Sequence, residues 1–247
     1  MTSGNDVRVL EPTRTTVSGK TRANETTLHG ALFLLTMSTG AVDAVSYLGM
    51  GHVFTANMTG NVVFLGFALA GVSGVSVARS VSSLVAFFLG AIFGGQLSRR
   101  MAEDEARWSG VAFLIEGALL LGATIFSAWH GEFRLDESAA LYVLIALTAV
   151  AMGVRNSIVR KLAVPDLTTT VLTLTVTGLA ADSSLAGGTN PRWATRVVAI
   201  VSLFLGAGIG ALLLRQSLAT PLFVCSAAAF VSALVMFRTQ QLDGGLK

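Results

Sequence analysis

Eight apolar runs limit what this chain can fold into. They lie at roughly 28–48, 61–72, 77–97, 110–129, 139–159, 168–181, 194–214 and 219–237. Six of them approach the ~20 residues that an α-helix needs to cross the hydrocarbon core of a bilayer. In lipid every backbone amide must find its partner inside the segment, so repeated runs of this length imply an all-α, polytopic transmembrane helix bundle. Composition points the same way: 53% of the residues are hydrophobic and only 13% charged, outside the range of soluble globular proteins. The formal charge of +3 does not indicate nucleic acid, because the basic residues sit in short clusters between the runs, the pattern that orients a membrane protein. The single cysteine, Cys225, excludes an intrachain disulfide and a cysteine-based metal site. No catalytic or phosphate-binding motif is present, so no enzyme activity, metal or cofactor is expected.

Two of the runs are short, and each follows a polar stretch. The first stretch runs from Phe54 to Asn61 and carries Thr55, Asn57, Thr59, Gly60 and Asn61; the second, from Asp166 to Gly178, carries Thr169, Thr170, Thr173 and Thr177. A run of 12 to 14 residues covers about 20 Å, well short of the ~30 Å core. Irregular polar backbone is tolerated at membrane depth only where protein buries it or a watery cavity wets it. These stretches are therefore expected to be broken or re-entrant helices lining a binding site. The competing reading is internal: threonines bond back to their own helix carbonyls, which is preferred for Thr175, and Gly60 and Gly178 serve packing.

Charge distribution separates two topologies. If the short runs are re-entrant, Arg99, Arg100, Arg107, Arg160, Lys161, Arg192, Arg196 and Arg238 all share the side of the basic N-terminal stretch, and only Arg79, Arg134 and Arg215 lie opposite. The positive-inside rule favours this arrangement, with both termini cytoplasmic. It gives one membrane domain over 28–237, a disordered cytoplasmic tail at 1–27 and a cytoplasmic tail at 238–247. Each half, about 28–130 and 139–237, then holds three spans and one short element, and the second half starts from the opposite face as an inverted repeat. Placing Thr59 against Thr173 brings out weak similarity between the halves. Small-residue stripes at Gly90 to Gly95 and Gly206 to Gly210 suit either internal helix contacts or a homodimer interface.

Ionisable groups within the runs are candidates for chemistry, since charge is expensive in a bilayer. Asp43 reads as a proton or cation coupling site, or as a helix-end carboxylate that caps nearby backbone. Arg155, followed by Asn156, could clamp an anion with two donors or could reach back to the interface. Glu116 reads as part of a proton path or, preferably, as a structural hydrogen-bonding group.

Asp43-Ala44-Val45-Ser46-Tyr47-Leu48-Gly49, the Phe54 to Asn61 stretch, Met152-Gly153-Val154-Arg155-Asn156 and Thr168 to Thr173 resemble the YoaK-like family of bacterial inner-membrane proteins. The Asn57-Met58-Thr59-Gly60-Asn61 segment is the most specific part. The resemblance implies a bacterial transmembrane domain of unknown function, and no substrate. From the residues, the leading expectation is a secondary transporter of a small polar solute, anionic ones included, working by alternating access and coupled to H+ or Na+ through Asp43. Its partners are then membrane lipids, the solute and the coupling ion. A non-transporting membrane sensor or assembly protein, or a passive channel, is the alternative.

Overall fold

The computed structural model describes residues 19–101, 104–130, 139–162 and 172–244, with side chains between 27 and 239. The helices are α1 (Gly19–Gly49), α2 (Met58–Leu69), α3 (Val77–Arg100), α4 (Glu105–His130), α5 (Ala139–Leu162), α6 (Leu172–Ala181), α7 (Trp193–Leu214) and α8 (Ala219–Gly244). Six of these are long and apolar enough to cross a membrane, and α2 and α6 are the shorter pair. The protein is an all-α, multi-pass membrane protein.

Local chemistry accounts for several boundaries. The Ser76 hydroxyl accepts from the Arg79 amide at 3.4 Å, and Asp104 Oδ1 accepts from the Arg107 amide at 2.9 Å, so α3 and α4 each begin on a side-chain cap. Arg99 and Arg100 close α3, and Arg160 and Lys161 close α5, where cations complement the helix dipole. One boundary differs from expectation. Residues 19–27, assigned to the tail, continue α1 at its start, since neither glycine nor proline interrupts 20–29.

Helix directions follow from the contacts. One apolar cluster joins Leu32 and Leu35 near the start of the α1 span, Trp108 and Phe113 of α4, Ile158 at the end of α5, Ala199 near the start of α7 and Met236 of α8. The Lys161 ammonium, at the end of α5, donates to the Ser98 carbonyl of α3 at 2.9 Å and sits 5.3 Å from the Trp108 ring. A second cluster, at the other end, joins Val45 and Met50 with Ala123, Leu141, Leu144 and Leu222. The apolar segment of α1 therefore begins at the end of the bundle where α8 finishes.

Glycines set the closest crossings. Gly206 and Gly210 of α7 lie against the backbone of Met37 and Ala41 of α1, while Gly40 of α1 faces Leu203 and Ala207 of α7. Gly90 and Gly94 of α3 meet Val150 and Val154 of α5, and Gly153 of α5 faces Phe87 and Ala91 of α3. Positions rise together in both pairs, so α1 runs parallel to α7, and α3 parallel to α5. Gly110 and Gly117 of α4 meet Phe237 and Phe230 of α8, an antiparallel pairing. The outward faces of α3 and α7 expose Phe88, Leu89, Phe93, Phe204 and Leu205, as lipid contact requires.

Candidate functional site

At the junction of α1, α4 and α5 the interior carries charge. Arg155 of α5 pairs with Glu116 of α4, and both side chains are 0% exposed. Glu116 lies about 16 Å along α4 at 1.5 Å per residue, deep in the span. The guanidinium is held from α1 as well: NH1 donates to the Leu35 carbonyl at 2.8 Å and to Thr39 Oγ1 at 2.8 Å, and NH2 donates to Ser38 Oγ at 3.0 Å and to Glu116 Oε1. Arginine suits this position because its donors are fixed in a planar fork. Full burial rules out the reading in which Arg155 reaches back to the interface. Removing one partner of such a pair costs about 3–5 kcal/mol, because it strands a charge in a low dielectric. Cys225 of α8 lies beside the pair, its Sγ 3.7 Å from the Ser38 carbonyl.

Asp43 takes the backbone-capping position that its place near the end of α1 allows. Its Oδ1 accepts from the Ala56 amide at 3.1 Å and the Asn57 amide at 3.2 Å, at the N-terminus of α2, where unpaired amides and the helix dipole favour an anion. Arg155 pairs with Glu116 rather than with Asp43. Asp43 also forms part of the wall of a cavity of about 310 Å³ between α1 and α7, with Gly40, Tyr47, Phe54, Leu203 and Ala207.

The motif around α2 divides by face. Asn61 is buried and bonded in both directions to Phe54, accepting from its amide at 2.9 Å and donating to its carbonyl at 2.6 Å. Its amide also donates to Ser83 Oγ of α3 at 3.1 Å, and the Ser83 hydroxyl donates to the Phe54 carbonyl at 2.6 Å. Asn61 thus holds the chain turning into α2 against α3. Gly60 leaves room for the Phe54 ring, which clusters with Tyr47 and Phe64, each of the three rings touching the other two. Thr55 is buried, and its hydroxyl has no partner among the described residues. Asn57 and Thr59 are exposed.

On α6, Thr173 and Thr177 lie on the exposed face and Thr175 is buried, the reverse of the faces expected. A ten-residue helix turns only one narrow stripe inward, and here that stripe includes Thr175. Thr169 and Thr170 lie outside the described residues. Arg196 of α7 donates to the Gly178 carbonyl at 2.5 Å and pairs with Asp182 at 2.8 Å, tying the end of α6 to α7. Asn156 is buried beside Arg155 in sequence, on the same helix. The residues brought together at one centre are thus Arg155, Glu116, Ser38 and Thr39. Ser38 and Thr39 carried no signal in the sequence beyond being hydroxyls in an apolar run.

A family described as "Protein of unknown function (DUF1275)" matches residues 31–235, most of the chain. The chain belongs to the DUF1275 family. Within 153 residues it is 34% identical to the UPF0700 transmembrane protein YoaK of Bacillus subtilis (strain 168), covering 62% of this chain and 66% of that protein, just under two thirds. No solved structure matches. In this DUF1275 chain the family match runs from α1 to α8 and so takes in the whole charged centre.

Proposed function

We propose that this protein is a secondary transporter that moves a small polar solute, anions included, by alternating access coupled to H+ or Na+. The observation that carries the reading is the Arg155–Glu116 pair, withdrawn from both water and lipid where three helices meet. Ionisable groups inside membrane helices are costly, face bundle interiors and mark solute or ion paths. A pair serving packing alone gains little over apolar side chains of similar volume.

Two features support inverted halves at 28–130 and 139–237. Exchanging α1–α4 for α5–α8 leaves the set of packed helix pairs unchanged: α3/α5 becomes α7/α1, α4/α5 becomes α8/α1, α2/α3 becomes α6/α7, and α3/α4 becomes α7/α8. The glycine contacts follow the same exchange, with Gly40 against Leu203 and Ala207 answered by Gly153 against Phe87 and Ala91. Inverted repeats meeting around a central site are a recurrent basis of alternating access. The short helices fit a re-entrant role. Arg79, at the start of α3, lies against Gly51, just past the end of α1, so α2 leaves and rejoins the bundle at one end. Arg99, Arg100, Arg107, Arg160, Lys161 and Arg196 gather at the other end, which the positive-inside rule makes cytoplasmic, together with both termini.

The test is uptake into proteoliposomes across a panel of neutral and anionic solutes, under imposed H+ and Na+ gradients. Accumulation that needs a gradient is expected, and it should be lost in the Arg155→Gln/Glu116→Gln double variant, which removes the pair without stranding either charge. Wild-type protein that accumulates no solute under either gradient refutes the reading, and flux indifferent to both gradients makes it a passive channel. Asn61 is a poor probe here, since its bonds to Phe54 and Ser83 predict loss of folded protein whatever the function.

A further inference from the structure

We infer that Glu116 is an internal stand-in for a solute carboxylate, and that Arg155 takes a small monocarboxylate anion together with one proton carried by Glu116. The site is defined by the buried pair; its use in transport rests on the reading above.

The unused atoms of the pair point to the ligand. Arg155 Nε and Glu116 Oε2 are both buried and have no hydrogen-bond partner among the described residues. NH1 is committed to the Leu35 carbonyl and Thr39, whereas NH2 reaches Ser38 and Glu116. On a guanidinium, Nε–H and one NH2 donor lie parallel and match the two oxygens of a carboxylate. Glu116 engages only one of these two donors. A solute carboxylate in its place engages both, and the closed surroundings limit the rest of the solute to a small body.

Charge conservation sets the coupling. A closed interior tolerates the Arg155 cation only when an anion matches it. With no solute bound, the Glu116 carboxylate is that anion. With a monoanion on Arg155, an ionised Glu116 would leave one uncompensated negative charge, and a proton on Glu116 removes it. Among the described residues no other facing group is placed to do this. Asp43 of α1 is engaged by the α2 amides, Cys225 of α8 lies against the Ser38 carbonyl, and α3 carries Arg79, Arg99 and Arg100 only towards its ends. The remaining ionisable groups of α4 and α5 likewise sit towards helix ends, as Glu105, Arg107, His130, Arg160 and Lys161. The sequence of events needs no covalent step. A proton adds to Glu116 Oε2, neutral Glu116 yields its place, and the solute carboxylate takes the NH2 and Nε–H donors. After the carrier opens to the other side, the anion and the proton leave and the Glu116 carboxylate returns. One H+ moves with one anion, and no net charge crosses.

Acetate binding to the purified full-length protein, with formate and lactate alongside, tests this between pH 6 and 8, where all three are ionised. A weakly buffered solution with a pH indicator counts the protons. We expect about one proton taken up per acetate bound, and affinity rising by up to tenfold for each pH unit lowered. Glu116→Gln, which still accepts from Arg155 but does not titrate, is expected to bind acetate with no pH dependence and no proton uptake. Wild-type binding without proton uptake, pH-dependent binding retained in Glu116→Gln, or no binding of any of the three carboxylates overturns the proposal. If Glu116→Gln does not fold, the wild-type proton count decides alone. Proton-linked acetate binding in a protein that transports nothing removes the transporter reading and leaves the site. Proton-coupled transport unchanged in Glu116→Gln does the opposite.

Discussion

Gly206→Ala places a methyl group against the backbone of a neighbouring helix. The new Cβ would stand 2.6 Å from the Met37 carbonyl carbon and 2.8 Å from its Cα. Carbon atoms pack at ~3.5–4.0 Å, so α7 must retreat from α1 by about 1 Å or bend. Strain of this size costs about 1–3 kcal/mol. Retreat also loosens the close packing on which helix association in lipid depends, where no hydrophobic force draws helices together. Gly208, two positions further along the same helix, supplies the control: a Cβ there meets nothing within 4 Å. Alanine is the better helix former by about 0.8–1 kcal/mol, so Gly208→Ala should be neutral or stabilising. Both variants share that gain, so they should separate by the strain alone, about 1–3 kcal/mol. Unfolding free energies from detergent titration in mixed micelles, followed by circular dichroism, measure the difference. Gly90→Ala against Val150, with Gly95→Ala as its control, repeats the experiment on the α3/α5 crossing. Equal shifts for Gly206→Ala and Gly208→Ala would show that α1 and α7 do not cross at Met37, and the parallel pairing of those helices would fall with it.

Two further expectations come from the short helices. Asn61→Ala should destabilise the protein by about 1–3 kcal/mol, since it leaves the Phe54 amide without its acceptor, while Asn57→Ala and Thr59→Ala stay within about 0.5 kcal/mol; comparable losses in the same titration would refute the division by face. Arg196→Gln should free the end of α6, raising amide exchange over 172–181 in mass-spectrometric labelling, with under about 1 kcal/mol lost globally because the Asp182 partner is half exposed. Unchanged exchange there would mean that Arg196 does not hold α6.

The candidate site was only partly legible in the sequence. A charged residue in an apolar run is visible as a cost, so Asp43, Glu116 and Arg155 all stand out. Which of them meet depends on the rotation of each helix about its axis. That rotation is set by contacts remote in sequence, such as Gly110 and Gly117 of α4 against Phe237 and Phe230 of α8. Asp43 read as a coupling site from its depth in the run, and Glu116, without a counterpart in the other half, read as structural. In the structure Glu116 lies on the Arg155 guanidinium and Asp43 on the α2 amides. The polar motif was legible only in part, because hydroxyls and amides in a row signal polarity without saying which face turns inward. Asn61 points in and is consumed by backbone, and Asn57 and Thr59 point out.

The sequence by itself determined the number and length of the long apolar helices, the two short ones, and the membrane as solvent, because backbone satisfaction in lipid is a local requirement met within each segment. Helix capping and the closing arginines are local for the same reason. Only the tertiary structure decided that α1 pairs with α7 and α3 with α5, that the small-residue stripes serve those crossings through Gly90, Gly94, Gly206 and Gly210, and that the buried arginine has a glutamate partner 39 positions away in the chain. Those outcomes depend on how several apolar surfaces fit one another at once, and a single segment holds no record of its neighbour's shape.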